Sequence, residues 1–131
     1  RMVMAHSSTM IGTDGLDRGS KPHPRAWGTY PRVLGKYVRE EGVISLENAI
    51  YKMTHMPATK FNIANRGLIK EGYFADLTLF DPETVIDGAT YENSRVGPQG
   101  LLHVIVNGQF AVRDGKHSGS RSGRTVRMGQ M

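Results

Sequence analysis

The apolar letters of this chain fall into three textures. Residues 2–11, "MVMAHSSTMI", form a short apolar run with a polar interruption, which reads as a buried strand. Residues 12–31 follow as an irregular stretch broken by four glycines and three prolines. A loop of about 20 residues is uncommon in a compact domain and is usually functional or disordered. Trp27 and Tyr30 argue for order here, because disordered segments rarely keep large aromatics. Pro31 is placed to open a helix, with Val33, Leu34, Tyr37 and Val38 along one stripe and Gly42 closing it. Ser45 is a good N-cap for a second helix, where Leu46, Ala49, Ile50 and Met53 recur at helical spacing until Pro57. Residues 57–63 can add another helical turn or two. Met53 and Met56 read as core filler rather than soft ligands.

From Asn65 the pattern turns to β. A turn at Glu71-Gly72 precedes Ala75, Leu77 and Leu79, which alternate with Asp76, Thr78 and Phe80. After a loop over 81–100 come two β-rich runs, 101–106 and 109–113. They flank Asn107-Gly108, the dipeptide that suits a type I′ hairpin turn. The organisation expected is a strand–loop–helix part over 1–63, a small sheet over 64–117 and a basic tail over 118–131. A few strands with one apolar face are marginal alone. Both parts therefore look for a packing layer supplied from elsewhere.

Composition supports that view. The chain has 131 residues, of which 38% are hydrophobic, with 16 glycines, low and high respectively for a compact globule. It begins at Arg1 and shows neither a signal peptide nor an apolar run long enough to span a membrane. The absence of cysteine removes disulfides and thiolate ligands and is compatible with a cytoplasmic setting. Seventeen basic against 12 acidic residues give a net charge of +5, scattered except at Arg113–Lys116 and at Arg121, Arg124 and Arg127 of the tail. With no stacking aromatic among these arginines, the tail reads as solvated or docked rather than as a nucleic-acid arm.

The common catalytic signatures are missing: no phosphate-binding G-x-x-x-x-G-K-[ST], no G-x-S-x-G, no H-E-x-x-H and no C-x-x-C. None of His6, His23, His55, His103 and His117 pair at metal-ligand spacing. His55 reads as a surface or helix-end residue, His103 as structural within a strand, and His117 as the start of the tail. Asp14 remains, in "TMIGTDG". Aspartate before glycine is a turn by default, because its side chain bonds the backbone just downstream. A strand-ending aspartate before a long ordered loop is also how α/β barrels present reactive groups at a strand's C-terminal rim. His23, Arg25 and Trp27 could line that rim or fasten the loop.

"IGTDG", "HPRAWGTYPRVLG" and "GYFADLTLFDP" extend this into a likeness that runs essentially end to end. The chain resembles the C-terminal third of the N-acyl-D-amino-acid deacylases (D-aminoacylases) of the metal-dependent amidohydrolase superfamily. The resemblance implies an α/β plus all-β fold: the last strand and closing helices of a (β/α)8 barrel over 1–63, then part of a small β-sandwich over 64–117. It implies that Asp14 is the catalytic aspartate beside a zinc ion, adjacent to it or a weak ligand. There it takes a proton from the attacking water and passes it to the departing amine. His23 and Arg25 become rim candidates for substrate contact, and the substrate becomes an N-acyl-D-amino acid. The family's other metal ligands come from earlier strands, and none is present in these 131 residues. The expectation is a C-terminal fragment, inactive alone and without bound zinc, whose partner is the N-terminal portion of the enzyme. It could arise by proteolysis, gene splitting or truncation. Two rival readings are a cyclic-amide or ureide hydrolase of the same superfamily, against which "HPRAWGTYPRVLG" speaks, and a non-catalytic binding or assembly remnant.

Overall fold

A proline inside a helix removes one ladder hydrogen bond, and Pro31 occupies such a position. The structure, a computed structural model, describes residues 1–129. Helix α2 spans Arg25–Arg32 and is opened by Pro24, whose carbonyl accepts from the Trp27 and Gly28 N–H groups at 3.0 and 2.9 Å. The expectation that Pro31 opens the helix is corrected: Pro24 already supplies the preset φ earlier in the chain. Pro31 cannot donate to the carbonyl four residues back. Beyond it the Val33 N–H is shared between the Thr29 and Tyr30 carbonyls, and the chain continues as a π-helix, π1, over Val33–Glu40. That helix ends with the Glu41 N–H bonding Lys36 O five residues back, at 2.9 Å, and Gly42 at φ 59 releases the chain as expected. Wide turns of this kind occur where a ladder bond has been lost.

Helix α3, Leu46–Met53, begins where the sequence places it, with the Ser45 hydroxyl accepting from the Asn48 N–H at 3.2 Å. The Glu47 carboxyl in its first turn is held below the usual carboxylate range by its own backbone N–H and then by Ser45. Pro57 does not end this helix. The break falls at Thr54 (φ −128, ψ −81), and Pro57 lies in the first turn of α4, His55–Lys60, where its missing N–H costs nothing.

Residues 2–11 are not a buried strand. Met2–Ala5 form one helical turn, α1, with Met2 88% exposed, and residues 9–18 carry no regular structure. A strand needs a neighbour to complete its hydrogen bonds. The strands described here belong to another unit, so the first turn bonds within itself, Ala5 N–H to Arg1 O and His6 N–H to Met2 O.

Two compact units emerge, and neither is continuous in sequence: Arg1–Met53 with Asp81–Gly100, and Thr54–Phe80 with the chain from Leu101 onward. In the first unit, residues 81–100 return against π1. The Arg39 guanidinium donates to the carbonyls of Val85 (2.7 Å) and Pro82 (3.1 Å), while Val33, Leu34, Ala49, Val85 and Ala89 form the buried core. Gly35 is a point of close approach. A Cβ there would lie 2.4 Å from both Val85 O and Ile86 Cδ1.

The second unit is an antiparallel sheet in the order β1 (Leu77–Phe80), β2 (Leu101–Val106), β3 (Gln109–Arg113), β4 (Lys116–His117). Asn107 and Gly108 adopt φ 47 and 79, the type I′ geometry expected from the sequence, and Asp114-Gly115 repeats it between β3 and β4. The Lys70–Tyr73 bond closes the expected turn at Glu71-Gly72. His103 is structural, accepting from the Asp114 N–H at 3.1 Å beside the Phe110 ring. Arg66 pairs with Asp76, bonds Asn107 and stacks on Phe74, and burial with the nearby Arg124 lowers its pKa. The basic tail docks in this unit: Ser122 O accepts from Asn107 Nδ2 at 2.6 Å, and Arg124 lies over the Phe74 ring at 4.3 Å. Residues 130 and 131 of the expected tail lie outside the described residues.

Gly35→Ala should destabilise the protein by about 1–3 kcal/mol in urea unfolding, because the new methyl meets a backbone carbonyl. Gly123→Ala, where nothing lies within 4 Å of the added atom, should stay within about 0.5 kcal/mol of the parent.

Candidate functional site

Asp14 takes φ 46, a left-handed conformation that aspartate tolerates better than most residues. Gly15 follows because the backbone presses on the start of α2: a Cβ on Gly15 would sit 2.9 Å from Ala26 Cα. The Thr13 hydroxyl accepts from the Gly15 N–H at 3.2 Å and completes the turn. Side chains in a helix's first turn lean back toward its N-terminus, and Arg25, the first residue of α2, reaches back in this way. Its Nη2 lies 3.1 Å from Asp14 Oδ2, and the Asp14 side chain is 83% exposed. Asp14 is thus both the turn residue that its glycine neighbour suggests and an exposed carboxylate paired with Arg25.

His23 is brought to the same place. Its Nδ1 accepts from the Arg25 N–H at 3.0 Å, which leaves Nε2 to donate to the Tyr91 hydroxyl, also at 3.0 Å. The two rings meet edge to face, with centroids 5.1 Å apart. The order in the long loop comes from Arg95, whose guanidinium bonds Asp17 Oδ1 at 3.0 Å and Gly19 O at 2.9 Å. Trp27 and Tyr30 lie in α2 rather than in the loop itself, and both are half-exposed.

A cleft of about 370 Å³ opens beside these residues, lined by His23, Arg25, Thr29, Arg32, Asp87 and Tyr91 among others. Its floor is an ion pair. Arg32 Nη1 lies 2.7 Å from Asp87 Oδ2, and the Asp87 side chain is only 5% exposed. That hydrogen bond, outweighing the opposing effect of burial, raises the Arg32 guanidinium above its ordinary pKa. Gly28 makes room for the pair, since a Cβ there would lie 2.9 Å from Asp87 Cβ.

Sequence reasoning identified Asp14, His23 and Arg25, and the structure brings Asp14 to Arg25 and His23 to Tyr91. It missed Arg32, Asp87 and Tyr91, which come from segments far apart in sequence. Lys52 was also missed, although a lysine three residues after Ala49, on the apolar stripe of α3, was a visible signal. A metal ion fits this chain poorly by itself. Among the described residues no three His, Asp or Glu side chains converge, and the Asp14 carboxylate already faces a guanidinium.

Residues 1–112 match the amidohydrolase family. The chain is 46% identical over 124 residues to the D-aminoacylase of Alcaligenes xylosoxydans xylosoxydans, covering 95% of this chain and 26% of that protein. It superposes on a crystal structure of D-aminoacylase with a TM-score of 0.93 at 46% identity, over 96% of this chain and 27% of that one. The N-acyl-D-glutamate deacylase of Bordetella bronchiseptica, solved with zinc and a phosphonate mimic of the tetrahedral intermediate, matches with a TM-score of 0.81 at 42% identity. That match covers 87% of this chain and 25% of the other. Likeness to a dihydroorotase of Endomicrobium trichonymphae, 50% identical, is confined to 42 residues, 32% of this chain and 10% of that protein. The chain spans about a quarter of the length of the deacylases it matches.

Removing Arg32 while leaving Asp87 buried should be costly. Arg32→Leu is expected to lower stability by about 2–3 kcal/mol, the modest end for such pairs because Arg32 is itself partly exposed. Adding Asp87→Asn should recover part of that loss in urea unfolding, since the uncompensated charge is then gone.

Proposed function

This chain belongs to the amidohydrolase family, and from that membership we propose that it is the C-terminal part of an N-acyl-D-amino-acid deacylase. The observation that carries the reading is extent. Deacylase likeness runs over 95% of the chain at 46% identity, whereas the dihydroorotase matches cover 32–37% of it. The full-length match includes the segment around Asp14 and the cleft residues alike, which favours a linear-amide substrate over a cyclic ureide. In this proposal residues 1–63 are the end of the catalytic barrel, 64–117 belong to a small β-sandwich domain and 118–131 are its basic tail.

Asp14 is the proton-transfer group of the proposed reaction. Its carboxylate accepts a proton as water adds to the amide carbonyl carbon. The same proton then goes to the nitrogen as the C–N bond breaks, which yields a carboxylic acid and a free D-amino acid. Arg25 would orient that carboxylate, and His23, held by Tyr91, would shape the rim on the same side. A related deacylase carries zinc. A catalytic zinc takes three protein ligands or so, and the residues here supply at most Asp14 as a neighbour. No step is therefore assigned to the metal through this chain, and its ligands would come from the N-terminal portion of the proposed enzyme. The 131 residues alone are expected to be inactive.

The test is hydrolysis by the complete enzyme carrying this sequence, in the presence of zinc, of N-acetyl-D-amino acids, their L enantiomers and a hydantoin. Release of the D-amino acid alone is the expected result, with Asp14→Asn lowering kcat by about 10²–10⁴-fold. Turnover of the hydantoin in place of the D substrates would transfer the chain to the cyclic-ureide class. Full activity of Asp14→Asn would remove Asp14 from the chemistry, and activity of the isolated 131 residues would show that no further portion is required.

A further inference from the structure

Lys52 lies in α3 and is 1% exposed, in a stripe otherwise made of Leu46, Ala49, Ile50 and Met53. A buried lysine is rare unless its charge is answered. Here the answer is not a carboxylate. The ammonium donates to His6 O at 2.5 Å and Thr9 O at 2.8 Å, and lies 3.4 Å from the Thr9 hydroxyl, so its three N–H donors meet three oxygens of residues 6–9. The backbone carbonyl of Lys52 accepts from the Ile11 N–H at 3.2 Å. One residue therefore grips the segment before Asp14 at both ends, with its side chain at 6–9 and its main chain at 11.

An apolar residue would suit this stripe better, because an interior ammonium loses its hydration. What the ammonium provides is a set of donors for carbonyls that, among the described residues, have no strand beside them. From Ile11 to Asp14 only Gly12 and Thr13 intervene, and a Cβ on Gly12 would meet nothing within 4 Å. The path is short but locally loose, so the placement of Asp14 depends on an anchor on each side: Lys52 before it and Arg25 after it. We infer that Lys52 is a positioning residue for Asp14, acting by clamping residues 6–11 rather than by touching the substrate. This rests on the proposal that Asp14 is the proton-transfer group of a deacylase. Displacing a reacting group by about 1 Å can cost on the order of 10²-fold in rate, so the role is catalytic in its consequence though not in its contacts.

The experiment is a double-mutant cycle in the complete zinc-loaded enzyme, with an N-acetyl-D-amino acid as substrate. Lys52→Met should lower kcat about 10–100-fold while KM stays within about twofold. In an Asp14→Asn background the same change should cost less than about twofold, because there is no longer a working carboxylate to misplace. Thr9→Val, which removes one of the ammonium's oxygens, is the milder variant if Lys52→Met fails to fold. It should lower kcat severalfold, with the loss again vanishing in Asp14→Asn. Zinc content and thermal midpoint normalise each rate to folded protein. Losses that multiply in the double variants, a change confined to KM, or rates that merely follow the folded fraction would overturn the inference for Lys52 while leaving Asp14 in place. An Asp14→Asn enzyme with full activity would overturn the reading of Asp14 and, with it, this role for Lys52.

Discussion

Among the described residues no strand lies beside residues 6–11, and the bonds that tie this segment to α3 run to Lys52. Two carbonyls and a hydroxyl of that segment converge on one buried ammonium, while the Ile11 N–H returns to the backbone of the same lysine. The course of the next few residues follows from that anchorage. Asp14 turns left-handed, Gly15 slides against α2, and Arg25 closes on the exposed carboxylate. The remainder of the first unit braces the other side of this arrangement. Arg39 holds the returning segment by its carbonyls, Arg32 holds it through Asp87, and Arg95 fastens the loop that leads into α2. In each case a guanidinium or ammonium substitutes for regular secondary structure, which explains how a stretch so rich in glycine and proline keeps a defined course.

Features that rest on a few adjacent residues were legible in the sequence. Asn107-Gly108 formed its type I′ turn because only neighbouring φ values are involved, and Ser45 capped α3 for the same reason. Pro31 was misread because a proline marks a possible helix start without saying whether an earlier proline has already made one. Residues 2–11 were misread for a deeper reason. An apolar run of that length fits a strand or a helical turn equally well, and the choice depends on whether another strand lies alongside. The π-helix after Pro31 could not be read either, since it expresses a lost ladder bond rather than any preference of Val33 to Glu40.

The site divides along the same line. Asp14 was visible as an aspartate before glycine at the edge of a long loop, and the family resemblance turned an ambiguous turn residue into a candidate acid–base group. Arg25 and His23 were visible as its neighbours in sequence. The Arg32–Asp87 pair was not, because nothing in local spacing predicts a contact between helix α2 and the segment after β1. Lys52 interrupted an apolar stripe, the kind of local inconsistency that marks a constraint beyond packing.

The proposed proton-transfer role of Asp14 depends on where its carboxylate sits when an amide is attacked. The most direct measurement is a crystal structure of the complete enzyme with a phosphonate mimic of the tetrahedral intermediate of an N-acyl-D-amino acid. An Asp14 oxygen is expected about 2.6–3.2 Å from the phosphonate oxygen that stands for the attacking water. Lys52 is expected still to bond the carbonyls of His6 and Thr9. An Asp14 carboxylate still turned to Arg25 and out of hydrogen-bond reach of the phosphonate, with another group in its place, would contradict the proton-transfer role of Asp14.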